Sequence, residues 1–212
     1  RDIMLSRLVY LTKVELKHNA LFTIITSLFI IAICFVVFGI DNLDVLMANY
    51  AIERFLPLMG IISISSTYYP EQLSPIKDLL KLRDKALCKI YVVRSTIRFI
   101  AFVAITYIYV QLIYTPTNAY SIHEAWLHSM SIGLFVGGFG LLLFSITNNI
   151  VISYLVTIIY MFLQWFIKKD VLGFFYLYNL DSLSVTKIMI LSLTGLFLII
   201  ISIPLWNKKS VN

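Results

Sequence analysis

Residues 20–40 read ALFTIITSLFIIAICFVVFGI, a stretch without one charged side chain. A hydrocarbon core of roughly 30 Å is crossed by about 20 such residues in an α-helix. The apolar positions run on continuously, whereas a membrane strand would alternate over about ten residues. Inside a bilayer every backbone N–H and C=O needs a partner within the protein, so a helix is the form this stretch takes.

Five more stretches reach or approach that length, at 47–69, 88–114, 125–146, 150–167 and 187–206. With 60% hydrophobic and 13% charged residues and a mean hydropathy of +0.90, too little polar surface is left for a soluble globule. The expected fold is an all-α integral membrane bundle of six transmembrane helices, one domain over 1–212. Ahead of it, 1–18 is charged and mildly amphipathic, with Asp2, Ser6, Lys13 and Lys17 near one face and Met4, Leu8 and Leu11 near another. Such a helix lies along the membrane surface, and it does not read as a signal peptide.

Lys and Arg set the orientation. Arg1, Arg7, Lys13 and Lys17 lead the chain; Lys77, Lys81, Arg83, Lys85, Lys89, Arg94 and Arg98 lie between the second and third spans; Lys208 and Lys209 end it. These are 13 of the 17 basic residues, and with six spans they share one side. The opposite loops at 41–44 and 115–124 hold none. Both termini and segment 70–98 are therefore expected in the cytoplasm of a cell-membrane protein, and the net charge of +6 reflects topology and inner-leaflet lipid, not nucleic acid. Arg54, Lys168, Lys169 and Lys187 weaken the asymmetry without reversing it. Cys34 and Cys88 fall at different depths and read as structural.

Two connections differ in kind. Thr147, Asn148 and Asn149 form a tight inner turn, whereas 168–186, KKDVLGFFYLYNLDSLSVT, is long and aromatic. It reads either as a short hairpin or helix dipping into the outer leaflet or as an ordinary loop carrying an aromatic belt.

Segment 70–98, PEQLSPIKDLLKLRDKALCKIYVVRSTIR, is the one long charged stretch. Pro70 ends the second span, Ser74 can cap, Pro75 fits a first helical position, and a helix follows over about 74–85. Ile76, Leu79 and Leu80 share a face at i, i+3, i+4, flanked by Lys77, Asp78 and Lys81 and closed by Arg83. That face either docks in a groove of a partner or belongs to a surface helix, with Arg94 and Arg98 snorkelling at the start of the third span.

This layout resembles the ABC-2 type permeases of ATP-binding cassette exporters. The shared plan is an amphipathic helix before the first span, six spans, a cytoplasmic helix between the second and third, and an outer re-entrant insertion between the fifth and sixth. Local support comes from Glu71, the Leu79–Leu80 pair, Arg83 and Lys89. The Gly-Thr normally found after that Glu and the Pro normally found after the Leu pair are missing. The resemblance implies that 74–85 is a coupling helix seated in a separate ATPase subunit, which binds ATP and Mg. It further implies that a second permease copy or paralogue completes a dimer, with a pathway between the second and fifth spans of the two permease subunits.

Glu53, Pro57, Gly60, Ser63 and Thr67 form a polar or small stripe along the second span, and Ser153, Thr157, Tyr160 and Gln164 form a tighter one along the fifth. Each stripe reads equally as a translocation surface or as plain helix packing. Gly133 and Gly137 make a GxxxG read as packing. Glu53 and Arg54 cost about 2.5–3.5 kcal/mol each at a span's centre. Adjacent helical residues diverge by about 100°, so each wants its own partner or water. They mark a polar pathway site or gate, unless the span begins late and both lie among outer headgroups.

No enzyme signature is present. His123 and His128 are spaced i, i+5, where HExxH needs i, i+4 to bring both imidazoles together, so no metal site or catalytic residue is expected. No G-x-x-x-x-G-K-[ST] loop exists to hold ATP phosphates, so no cofactor is expected on this chain. The expected function is a permease exporting an amphipathic or apolar substrate, with peptide toxins favoured by a likeness to bacteriocin and phenol-soluble modulin exporters. A non-transporting immunity or structural membrane protein is the alternative, and a membrane enzyme a more distant one.

Overall fold

The computed structural model describes residues 12, 13, 15, 17, 21–39, 45–73, 84–114, 121–167, 169–173, 176–178 and 184–211. They are helical almost throughout, and no strand occurs among them. Helix α1 is Leu21–Phe38, and a long interrupted run follows over 45–73. Next come α5 (Asp84–Ile113), α6 (Ile122–Thr147), α7 (Ile150–Phe166), the short α8 (Lys169–Leu172) and α9 (Val185–Val211). Four helices are long and apolar enough to cross a membrane: Leu21–Phe38, Ile90–Ile113, Ile122–Thr147 and Val185–Asn207. Helix α7 is equally apolar but shorter, at 17 residues.

The run over 45–73 departs from the smooth helix expected at 47–69. It comprises α2 (Val45–Tyr50), a π-helical turn (Ala51–Phe55), α3 (Leu56–Ser65), a 3-10 turn (Ser66–Tyr68) and α4 (Tyr69–Leu73). Two prolines account for the irregular turns. In an unbroken α-helix the ring of Pro57 would strike the Glu53 carbonyl, and the wider turn just before it relieves that clash. Pro70 has no N–H to offer Ser66, so the Tyr69 N–H bonds the Ser66 carbonyl instead and tightens the helix by one residue. Pro70 therefore does not end the helix as expected: the tightened turn absorbs it and the run continues to Leu73.

Helix α6 lies at the centre and buries more of its length than the other long helices. Ser121 and Glu124 cap its start reciprocally, Glu124 N–H donating to Ser121 Oγ at 3.3 Å and Ser121 N–H to Glu124 Oε2 at 2.8 Å. Its end is the tight turn read from Thr147 to Asn149. Asn148 takes a left-handed conformation at φ 56°, and Asn149 Oδ1 caps α7 by accepting from Val151 N–H at 2.9 Å.

Glycines bring helix backbones into contact with α6 on two sides. A Cβ on Gly60 would strike the Gly133 carbonyl, and one on Gly137 would lie 2.6 Å from the Gly60 carbonyl oxygen. Across α6, a Cβ on Gly138 would lie 2.6 Å from the Gly195 oxygen on α9. The GxxxG of Gly133 and Gly137 is thus a packing motif whose partner is Gly60.

At one end of the bundle Tyr68 joins four elements. Its ring stacks on Trp206 of α9 at 4.9 Å, meets Tyr91 of α5 edge-on and Phe144 of α6 at a tilt, and its hydroxyl bonds Ser202 at 2.9 Å. Large apolar side chains of α1, α5, α7 and α9 face outward, including Phe29, Val36, Ile100, Phe166 and Phe197. Outward apolar faces around a core holding serines, threonines and paired charges belong to a chain solvated by lipid.

Candidate functional site

The polar side chains of the core collect at two levels, one at each irregular turn of the run. At the π turn, Glu53 is only 7% exposed and its Oε1 lies 3.2 Å from Nε2 of the buried His128 on α6. Arg54 leaves the helix in another direction, its guanidinium 4.3 Å from the Tyr50 ring centre and 5.0 Å from that of Trp165 on α7. Tyr109 of α5 donates to the Ala51 carbonyl at 3.1 Å and lies 2.6 Å from Cys34 of α1. The changed ladder of the π turn thus finds a side-chain donor at its first residue. Glu53 and Arg54 lie inside the helical run described over 45–73.

Part of the connection between α7 and α9 covers this level. Leu177 N–H donates to Gln164 Oε1 at 3.0 Å, and Trp165 Nε1 donates to the Tyr178 hydroxyl at 3.1 Å. Leu177 and Tyr178 are buried with Ile61, Ile132 and Met161, and burial pushes the Tyr178 phenol up to about 12. Tyr178 therefore belongs to the protein core and not to a headgroup belt, while Phe174 and Phe175 lie outside the described residues.

The second level surrounds the 3-10 turn. Arg98 of α5 donates from Nη1 to the Ser63 carbonyl at 3.4 Å and to Ser66 Oγ, and Ser63 Oγ donates to the Arg98 carbonyl at 3.3 Å. Arg94, one turn earlier, reaches the Thr67 carbonyl at 3.3 Å and forms an ion pair with Glu15 at 3.0 Å. Both arginines are buried, which corrects the expectation of snorkelling. The tightened turn of the run offers carbonyls at their level, and Glu15 of the leading segment supplies a charge partner.

A cavity of about 540 Å³ opens beside this second level. Its apolar wall includes Phe22 of α1, Ile62 and Pro70 of the run, and Ile150 and Val151 of α7; Ser66, Arg98 and Tyr154 supply polar groups. Phe22 and Val151 are 67% and 64% exposed, so the opening faces outward between α1 and α7.

The two expected stripes face α6. Pro57 and Gly60 are buried against it, Ser63 bonds α5, Ser153 Oγ donates to the Gly140 carbonyl, and Thr157 packs on Gly140. Gln164 is buried under Leu177, and Tyr160 rests half-buried against Phe135 and Phe139. Packing thus accounts for the contacts of both stripes, and the cavity uses other positions on the same two elements. Ser74, Ile76, Lys77, Asp78, Leu79, Leu80 and Arg83 of the expected coupling helix lie outside the described residues, as does most of 1–18.

His128, Glu15, Ser66 and Tyr154 were not anticipated as site residues. Pro57, four residues after Glu53, is a signal that could have marked a broken ladder near an intramembrane acid. Among the described residues no three His, Cys, Asp or Glu side chains gather as a metal site; His123 is exposed and His128 holds Glu53.

These features define a helical membrane protein with buried paired polar groups and an arginine-lined cavity. Comparison with protein-family models, with curated proteins and with solved structures gives no match.

Proposed function

We propose that the chain is the membrane subunit of an ABC-2 type exporter, with six spans and cytoplasmic termini, sitting in a bacterial plasma membrane. What supports this reading is the cavity beside the run and α7, the two elements that in that family line a pathway between two permease subunits. The cavity lies at the end of the run that leads into segment 74–85. The run is helical through Leu73, adjacent in sequence to Ser74, so a push on the helix around Ile76–Leu80 enters the run directly. Closure of two ATPase subunits carrying ATP and Mg would rock the run against α7, drawing an amphipathic substrate such as a peptide toxin from the cavity outward. Glu53 with His128 and Arg54 with Trp165 close the opposite end in this state.

The test is co-purification of an ATP-binding protein with the full chain, and its loss with Leu79→Asp plus Leu80→Asp. Unchanged binding by the double variant refutes the coupling helix. One observation favours a second reading. Gly60, Ser153 and Thr157 of the two stripes pack against α6, as a non-transporting membrane protein would have them. That reading requires that no ATPase accompanies the wild-type chain.

A further inference from the structure

We propose that the cavity beside Arg98 binds a single-chain anionic amphiphile, a long-chain carboxylate, which enters from the membrane between α1 and α7. The proposal concerns the chain alone and does not rest on transport. Arg98 is 2% exposed and lines the cavity, and its buried Nε has no hydrogen-bond partner among the described residues. The carboxylate acting on it is that of Glu15, which is already ion-paired with Arg94 at 3.0 Å. Glu15 thus acts on both guanidiniums, and a buried cation that lines a cavity is stabilised by an anion placed in it. A guanidinium binds a carboxylate through short charge-assisted hydrogen bonds, and Nε is one of the donors that its fork presents.

The surroundings fix what the anion is attached to. Beside the guanidinium stand the Ser66 and Tyr154 hydroxyls, hydrogen-bonded to each other and able to reorient towards an acceptor. The rest of the wall is aliphatic or aromatic apart from Thr23 and the Tyr69 hydroxyl, and the exposed Phe22 and Val151 mark a mouth where α1 and α7 begin. A volume of about 540 Å³ falls within the roughly 300–1,000 Å³ of small-ligand sites. It suits one apolar chain with one small anionic head.

The experiment uses the full chain in phosphatidylcholine nanodiscs at pH 8.5, photolabelled with diazirine-bearing palmitic acid or with its uncharged methyl ester. The expected result is saturable labelling by the acid, mapped to peptides holding Phe22, Ile62 or Val151, at an apparent affinity at least tenfold above that of the ester. Val151→Trp narrows the mouth and should cut the labelling at least fivefold, while Ala32→Trp on the outward face of α1 leaves it unchanged. Arg98→Gln should erase the preference for the acid. Equal labelling by acid and ester, or unsaturable labelling spread over the outward faces of α1 and α9, overturns the proposal. Competition by phosphatidic acid as strong as that by palmitate overturns the single-chain assignment. The acid–ester comparison is made on the wild-type chain, so it decides the matter even where Arg98→Gln fails to fold.

Discussion

Gly60→Ala adds one methyl group where no side chain is available to move. The new Cβ would lie 2.7 Å from the Gly133 carbonyl carbon and 2.8 Å from its Cα, where ordinary contact begins near 3.4 Å. Both obstacles are backbone, so the run must back away from α6 by about 0.7 Å, and overpacking of this kind costs about 1–3 kcal/mol. The same interface carries the Glu53–His128 contact of 3.2 Å. Stretched in step it reaches about 3.9 Å, beyond hydrogen-bond range, and leaving such a buried pair unmade adds about 1–3 kcal/mol. The expected loss is about 2–6 kcal/mol, measured by steric trapping of the unfolded chain in bicelles. Ala32→Val, facing outward on α1, should stay within about 0.5 kcal/mol. Because Gly60→Ala already separates the pair, adding Glu53→Ala to it should cost clearly less than Glu53→Ala alone. A loss below about 0.5 kcal/mol, or strict additivity of the two changes, would refute the backbone-contact reasoning.

Other substitutions test other joints. Tyr68→Phe removes the bond to Ser202 and should cost about 0.5–1.5 kcal/mol, whereas Tyr68→Ala also opens a cavity beneath Trp206 and should cost about 3–5 kcal/mol, both read from the same unfolding assay. Asn149→Ala uncaps α7 and should cost about 0.5–2 kcal/mol, while Asn148→Gly, at a left-handed position, should be neutral within about 0.5 kcal/mol. Arg54→Gln takes the cation off the Trp165 face, so Trp165 fluorescence should shift in a Trp126→Phe, Trp206→Phe background; an unchanged spectrum rejects the contact.

The long helices were legible because hydrophobic length is a property of the chain alone: 20–40 and 125–146 agree with Leu21–Phe38 and Ile122–Thr147 to within a turn. The tight turn at Thr147, Asn148 and Asn149 was equally local. What composition does not record is which carbonyl a proline deprives. Pro70 read as the end of the second span and Pro57 as part of a stripe, yet a 3-10 turn and a π turn carry the run past them. Arg94 and Arg98 were ambiguous because a cation at the start of a span reaches headgroups as readily as a neighbour's carbonyls. The partner of Glu53 lies 75 residues away on another helix, and only packing brings it near. The stripes failed to name the cavity for a related reason: a small or hydroxyl side chain suits a water-lined surface and a close helix crossing alike. A crossing is what Gly60 and Thr157 make here.

The contacts of Gly60 with Gly133 and Gly137, and of Gly138 with Gly195, consist of main chain, which is chemically the same at every position of every protein. Three helices are therefore registered against one another by missing side chains. Their mutual arrangement can persist while the residues around these three contacts drift, with Leu, Ile, Phe and Val exchanging freely on the outward faces. A lineage built this way keeps its architecture long after its sequences have lost any visible kinship, and a handful of glycines becomes the most durable part of its record.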